Sequence, residues 1–166
     1  VDMLQLHGHE SPERVVEVRC PADCVHLVAG RDHPAAAVKR QHEADLTVAR
    51  VADDEFYIVT GTGFASHDFD WIRRNIPSGA NAQLFDVTSA YSVLTLMGPA
   101  SRSILSTVTA ADLSNEAFPF GTFQTIGIAG CPVRALRITY MGELGWELHL
   151  PVEYAPGPTR LLSRPE

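Results

Sequence analysis

The sequence predicts an α+β domain: a mainly antiparallel sheet with two or more helices packed on it. Three observations carry that expectation. Short runs of β-branched and aromatic residues recur between turn signals, as in EFYIVTG at 55–61 and YSVLTLM at 91–97. From Asp45 onward, helical spacing of apolar residues is confined to two stretches, SHDFDWIRRNI at 66–76 and PASRSILSTV at 99–108. The resulting order, strand–helix–strand–strand–helix–strand–strand, lacks the strict alternation of a parallel sheet.

Taken in order, Val15–Cys20 and Cys24–Gly30 read as short strands separated by Pro21-Ala22-Asp23, and HPAAAVKRQHEAD reads as a helix opened by Pro34. DLTVARV and EFYIVTG make a β-hairpin around Asp53-Asp54. The first helix takes Ser66 as its N-cap, carries Asp68 and Asp70 in its first turn, and aligns Phe69, Ile72 and Ile76. Pro77-Ser78-Gly79 ends it. AQLFDVTSAYSVLTLMGP supplies two strands around a Thr-Ser turn. The second helix starts at Pro99 and places Ile104, Leu105 and Val108 on one stripe. Three strands follow at Phe123–Ile128, Val133–Tyr140 and Gly145–Leu150, the first two joined through Gly130-Cys131-Pro132. The Pro-rich end, EYAPGPTRLLSRPE, has no lasting period and reads as a tail.

The bulk properties narrow the function. The chain has 166 residues, 45% of them hydrophobic and 20% charged, which suits about one globular domain. Its net charge of -7, with 13 scattered basic residues, argues against a nucleic-acid or anionic-membrane surface. No apolar run approaches the ~20 residues that cross a bilayer. Three cysteines give no disulfide framework, so the expected setting is reducing: cytoplasmic, or the mitochondrial matrix in a eukaryote.

Several constellations reduce to ordinary structure. Cys20, Cys24 and His26 with His7 and His9 lack the spacing of a zinc finger, so no metal is expected. GTGFAS at 61–66 sits between strand and helix but lacks both the G-x-G-x-x-G spacing and a Walker lysine. Ser101, Ser103, His67 and Asp68 contain the ingredients of a hydrolase triad, but no G-x-S-x-G surrounds either serine.

RITYMGELGWELHLP at 137–151 is different, because glycines and carboxylates interrupt an otherwise apolar strand pair. Glu147 falls opposite Trp146 and Leu148 in the strand alternation. That face is either solvent, as is usual for antiparallel sheets, or a surface where Gly142 and Gly145 let a ligand approach. A carboxylate there can accept two parallel N–H bonds from a planar amidine-like group. Asp45, ahead of its strand, is either a turn residue or an acceptor for a ligand amine.

This segment resembles the signature of the aminomethyltransferase (glycine-cleavage T-protein) folate-binding family, in character nearest the copy of that fold in dimethylglycine and sarcosine dehydrogenases. EADLTVARVADDEFYIVTGTGFASHDFDWIRRNIP at 43–77, LMGPASRSIL at 96–105 and DLSNEAFPFGTFQTIGIAG at 112–130 agree with it in order and spacing.

The resemblance implies a folate-binding domain over 41–155, between a divergent segment at 1–40 and a tail at 156–166. It implies tetrahydrofolate as the cofactor, a one-carbon donor amine as co-substrate, and an FAD-dependent dehydrogenase domain or subunit as partner. FAD itself would belong to that partner, since no dinucleotide-binding fingerprint is present here. It makes Asp45 the catalytic position, orienting and helping deprotonate the folate amine. Thr47 would line the pocket, and Tyr140 would pack on or hydrogen-bond the folate. Glu147 would grip the pterin 2-amino group and neighbouring ring N–H, and Glu143 would serve the turn or support the contact.

Two departures stand beside the match. Family members place a Gly-Gly pair just ahead of the aspartate, where this chain has KRQHEAD, and the family's later folate-contacting arginine finds no counterpart. The expectation is thus a piece of a larger one-carbon enzyme. A non-catalytic regulatory or interaction module and an inactive fragment are the alternatives.

Overall fold

The computed structural model describes residues 46–139 and 142–162, and the backbone of 13–19. The chain divides into two compact units, one over Pro12–Thr88 and one from Ser89 onward. Among the described residues every strand pairing is antiparallel, in keeping with the mainly antiparallel sheet the sequence predicts.

The first unit holds β1 (Glu13–Arg19), β2 (Leu46–Ala52), β3 (Glu55–Gly61), α1 (Ala65–Asn75) and β4 (Gln83–Asp86), with strand order β2-β3-β1-β4. The β2–β3 hairpin forms as expected, with Val48 opposite Ile58 and a register slip between Arg50 and Ala52. Period-two alternation sends Phe56 and Ile58 to the face where Ile72 of α1 packs, joined by Leu46, Val48, Phe69 and Trp71. On the other face, Tyr57 and Val59 are buried as well, so β3 is covered on both sides, which is why it reads as an unbroken apolar run. The second expected strand, Cys24–Gly30, the helix near Pro34 and the cysteine–histidine group of the zinc reading lie outside the described residues.

Helix α1 starts one residue before Ser66, so Ser66 is not its cap; Phe64 is, and no side-chain cap bond forms. A 3₁₀ turn, Thr62–Phe64, already carries the chain into the helix. The end is fastened through Asp68 instead. Its side chain is buried and accepts a hydrogen bond from the Thr60 hydroxyl of β3, while His67 Nδ1 lies 2.9 Å from its other oxygen. Removing a buried acceptor strands its donors. Asp68→Ala is therefore expected to lower stability by roughly 1–3 kcal/mol in urea unfolding; an unchanged midpoint would show the pair to be incidental. At the far end Arg73 and Arg74 flank Asp70, and the hydrogen bond from Arg73 leads the effects that hold the Asp70 carboxyl below the usual carboxylate range.

The second unit holds β5 (Tyr91–Met97), α2 (Ser101–Ser106), β6 (Phe123–Ile128), β7 (Cys131–Leu136), β8 (Gly145–Pro151) and α3 (Pro156–Leu162), in sheet order β5-β8-β7-β6. The Thr-Ser turn between β4 and β5 is a 3₁₀ turn, Thr88–Ala90, that passes the chain from one sheet to the other rather than closing a hairpin. The β6–β7 turn also differs from expectation. Ile128 pairs with Cys131, so the loop is Ala129-Gly130, both at positive φ (52° and 81°). Two left-handed residues suit the right-handed strand twist of a two-residue hairpin, which draws Cys131 and Pro132 into the strand.

One face of this sheet carries the core. Leu94 and Leu96, Ile126 and Ile128, Val133 and Ala135, and Trp146, Leu148 and Leu150 all point there. Leu105 of α2, Leu113, Phe118 and Leu162 of α3 complete it. The segment read as a tail thus contributes a helix whose Leu162 is buried, because Pro156 supplies a helix-compatible φ at the first helical position.

Candidate functional site

Strand β8 lies between β5 and β7, so its backbone is hydrogen-bonded on both sides and its side chains are held in strict alternation. Thr95 of β5 and Leu136 of β7 stand opposite Glu147. The strand's start is fastened by the preceding turn. Gly142 takes φ 76°, Thr139 Oγ1 donates to Glu143 O at 2.9 Å, and Leu144 O accepts from Gly98 N at 2.8 Å and Ser101 Oγ at 3.1 Å. A Cβ at Gly145 would lie 2.6 Å from Leu96 O and 3.0 Å from Met97 Cα, so only glycine lets β8 come this close to β5.

With β8 placed this way, Trp146, Leu148 and Leu150 enter the core, and Glu147 and His149 share the opposite face. That face is not solvent at this point. Glu147 is 8% exposed and His149 is fully buried. Among the described residues no donor makes a hydrogen bond to the Glu147 carboxylate; His149 Nε2, 3.8 Å from Oε2, stands just beyond that range. A buried carboxylate is normally matched by donors, since desolvating it unmatched costs several kcal/mol. Glu147 is thus poised to accept, and its acceptor set fits a planar pair of N–H donors.

The remaining expected site residues distribute as follows. Thr47 is half-buried on β2, opposite Val59, on the face that also carries Ala49 and Tyr57. Glu143 is exposed in the turn before β8, with its carboxylate beside Gly98. Asp45 and Tyr140 lie outside the described residues. The hydroxyls of the discarded triad are engaged with backbone, Ser101 on Leu144 O and Ser103 on Ala100 O.

A second polar group escaped the sequence reading. Arg102 and Arg137 both donate to Asn115 Oδ1 at 2.6 Å, and their guanidinium carbons lie 5.9 and 5.6 Å from the Trp146 ring centre. Arg137 also donates to Phe118 O. Burial, then the neighbouring Arg102 charge, pulls the Arg137 guanidinium below its usual range, and Glu116 partly offsets this. A cavity of about 730 Å³ opens beside α2, with Arg102, Ser106, Asp112 and Asn115 on its wall. Glu147 does not line it. The arginines there close the 112–118 loop over Trp146, which is structural work, and the unmatched acceptor lies on the other face. Three residues separated by 13 and 22 positions carry no local signal; His149 did, being in step with Glu147 in GWELHLP.

Among the described residues no helix is long and apolar enough to cross a membrane, and no group of three or more potential metal ligands occurs. The family described as "GCVT N-terminal domain" matches residues 37–162. Mitochondrial sarcosine dehydrogenase of Mus musculus is 42% identical over 123 residues, covering 66% of this chain and 13% of that protein. Mitochondrial dimethylglycine dehydrogenase of Mus musculus is 39% identical over 107 residues, covering 64% and 12%. The chain therefore spans about an eighth of the length of these relatives. The crystal structure of glycine cleavage system aminomethyltransferase T from Bartonella henselae superposes with a TM-score of 0.69 at 23% identity, covering 92% of this chain and 43% of that one, a likeness of fold.

Proposed function

The chain belongs to the GCVT N-terminal domain family, and from that premise we propose that it is a tetrahydrofolate-binding domain of a one-carbon-transfer enzyme of the dimethylglycine or sarcosine dehydrogenase kind. The observation that supports this most is the Glu147 carboxylate, buried on the second face of β8 with no hydrogen-bond donor among the described residues. A reduced pterin offers its complement, a 2-amino group and an adjacent ring N–H in one plane. When bound, the folate supplies the amine nitrogens that take up a one-carbon unit from an aminomethyl group or an oxidised methylamine. Glu147 Oε1 and Oε2 would accept the two N–H groups and hold the ring. By resemblance to the family, Thr47 would be a folate contact and Tyr140 would pack against the ring. By the same resemblance Asp45 would orient the folate amine and take its proton, and Glu143 would support the turn that carries β8. FAD and the donor amine belong to a partner domain or subunit, and the compartment is the one named for the relatives, the mitochondrion, or the cytoplasm of a cell without one.

Isothermal titration with tetrahydrofolate tests the reading. The wild type is expected to bind, Glu147→Gln to weaken binding roughly tenfold or more, and Asp45→Asn to bind with little change while losing transfer when paired with a dehydrogenase partner. No heat from the wild type at millimolar ligand would end the proposal; equal binding by the Glu147 variant would end its residue assignment. A second reading, a non-catalytic interaction module, is favoured by KRQHEAD at 39–45, which has no glycines to let a ligand approach the backbone ahead of Asp45. Stoichiometric recovery of a protein partner, unaffected by folate, would support it.

A further inference from the structure

We propose that His149 is the positioning residue of the folate site: its Nε2–H steadies the Glu147 carboxylate, so that both oxygens meet the pterin edge together. This rests on the folate reading above and adds to it a role for a residue of the same segment to which the resemblance assigns none.

The imidazole is fully buried, on the face of the sheet opposite the apolar core, and follows Glu147 by two positions on the same side of β8. Its Nε2 lies 3.8 Å from Glu147 Oε2. The neighbours across the sheet are Val93 of β5 and Arg134 of β7, and those beside Glu147 are Thr95 and Leu136. Arg134 is the charged group among them, and its guanidinium stacks over the Tyr91 ring, 5.1 Å from the centre. Among the described residues, the imidazole is the basic group within 4 Å of the carboxylate.

Recognition by a fork of two N–H bonds needs the carboxylate plane held, and glutamate loses about 1.5–2 kcal/mol of rotamer freedom when it is fixed. A buried neighbour packed beside one oxygen narrows the rotamers open to the carboxylate before the ligand arrives, which lowers that cost. Each carboxylate oxygen has two acceptor sites, so Oε2 can take a bond from His149 on one side and from the pterin on the other. Contacts of this kind are commonly long without ligand and tighten in the complex.

A double-mutant cycle distinguishes positioning from mere filling of space. The probe is 5-formyltetrahydrofolate, a stable reduced folate with the same pterin edge, titrated calorimetrically into the wild type, His149→Leu, His149→Gln and Glu147→Gln, and into the two His149 variants combined with Glu147→Gln. His149→Leu is expected to weaken binding roughly tenfold, and His149→Gln, which keeps an N–H near the ε position, to stay within about threefold of wild type. In the Glu147→Gln background the His149→Leu change is expected to cost less than about twofold. Equal losses from His149→Leu in both backgrounds, or a His149→Gln protein as weak as His149→Leu, would overturn the role and leave the folate reading intact. No binding by the wild type would remove both. Should His149→Leu fail to fold by circular dichroism, His149→Asn takes its place, a polar side chain too short to reach Oε2.

Discussion

Replacing Trp146 by alanine is expected to lower the stability of the chain by about 3–5 kcal/mol, the usual result of truncating a large aromatic at full burial. Trp146 is wholly inaccessible and meets Phe118 edge to face, with ring centres 6.2 Å apart and planes at 66°. Its loss opens a void that a sheet hydrogen-bonded on both sides of β8 cannot collapse to fill. It also removes the ring over which Arg102 and Arg137 stack, leaving two neighbouring guanidiniums to share one amide oxygen. Urea unfolding followed by far-UV circular dichroism measures the effect. A loss under about 1.5 kcal/mol would mean that the 112–118 loop holds its place without the ring.

Gly145→Ala, one residue earlier, acts through a different mechanism. The added methyl would press on Leu96 O at 2.6 Å, Thr139 Cγ2 at 2.7 Å and Met97 Cα at 3.0 Å. Two of these are backbone atoms of β5, so the strands themselves must part. Overpacking of this kind costs about 1–3 kcal/mol, and more when backbone moves. Gly142→Ala is the control: its Cβ meets nothing within 4 Å, but φ 76° imposes left-handed strain of roughly 1–2 kcal/mol. The two variants separate in function more than in stability. Shifting β8 against β5 moves Glu147, so Gly145→Ala is expected to lose folate affinity even at temperatures where it remains folded, whereas Gly142→Ala keeps it. Equal affinity in the two folded variants would show that the β5–β8 register does not govern the site.

These two glycines also show how much was legible beforehand. The sequence marks both as breaks in an apolar strand, but only packing tells them apart, because one is required by a backbone angle and the other by the distance between strands. The hairpin of β2 and β3, the strands β5 and β6 and the presence of a helix after each of β3 and β5 follow from local periodicity and turn residues, which act over a few positions and can be read in a line of letters. The helix start at Ala65, the two-residue turn at Ala129-Gly130 and the helix after Ala155 differ from the reading, each through a neighbour: a 3₁₀ turn, a pair of left-handed residues, a leucine taken into the core; the second helix begins at Ser101 rather than Pro99.

Glu147 marks the boundary most clearly. Alternation in GWELHLP assigns Glu147 and His149 to one face and Trp146, Leu148 and Leu150 to the other, and the family signature singles out the glutamate. Neither says whether that face is wet or dry. Burial is a property of what surrounds a side chain, and the neighbours of Glu147 within the sheet come from β5 and β7, about 50 and about 10 positions earlier in the chain. Periodicity gives the direction in which a side chain points; only the folded chain supplies what it meets there, and an acid's readiness to bind depends on the meeting.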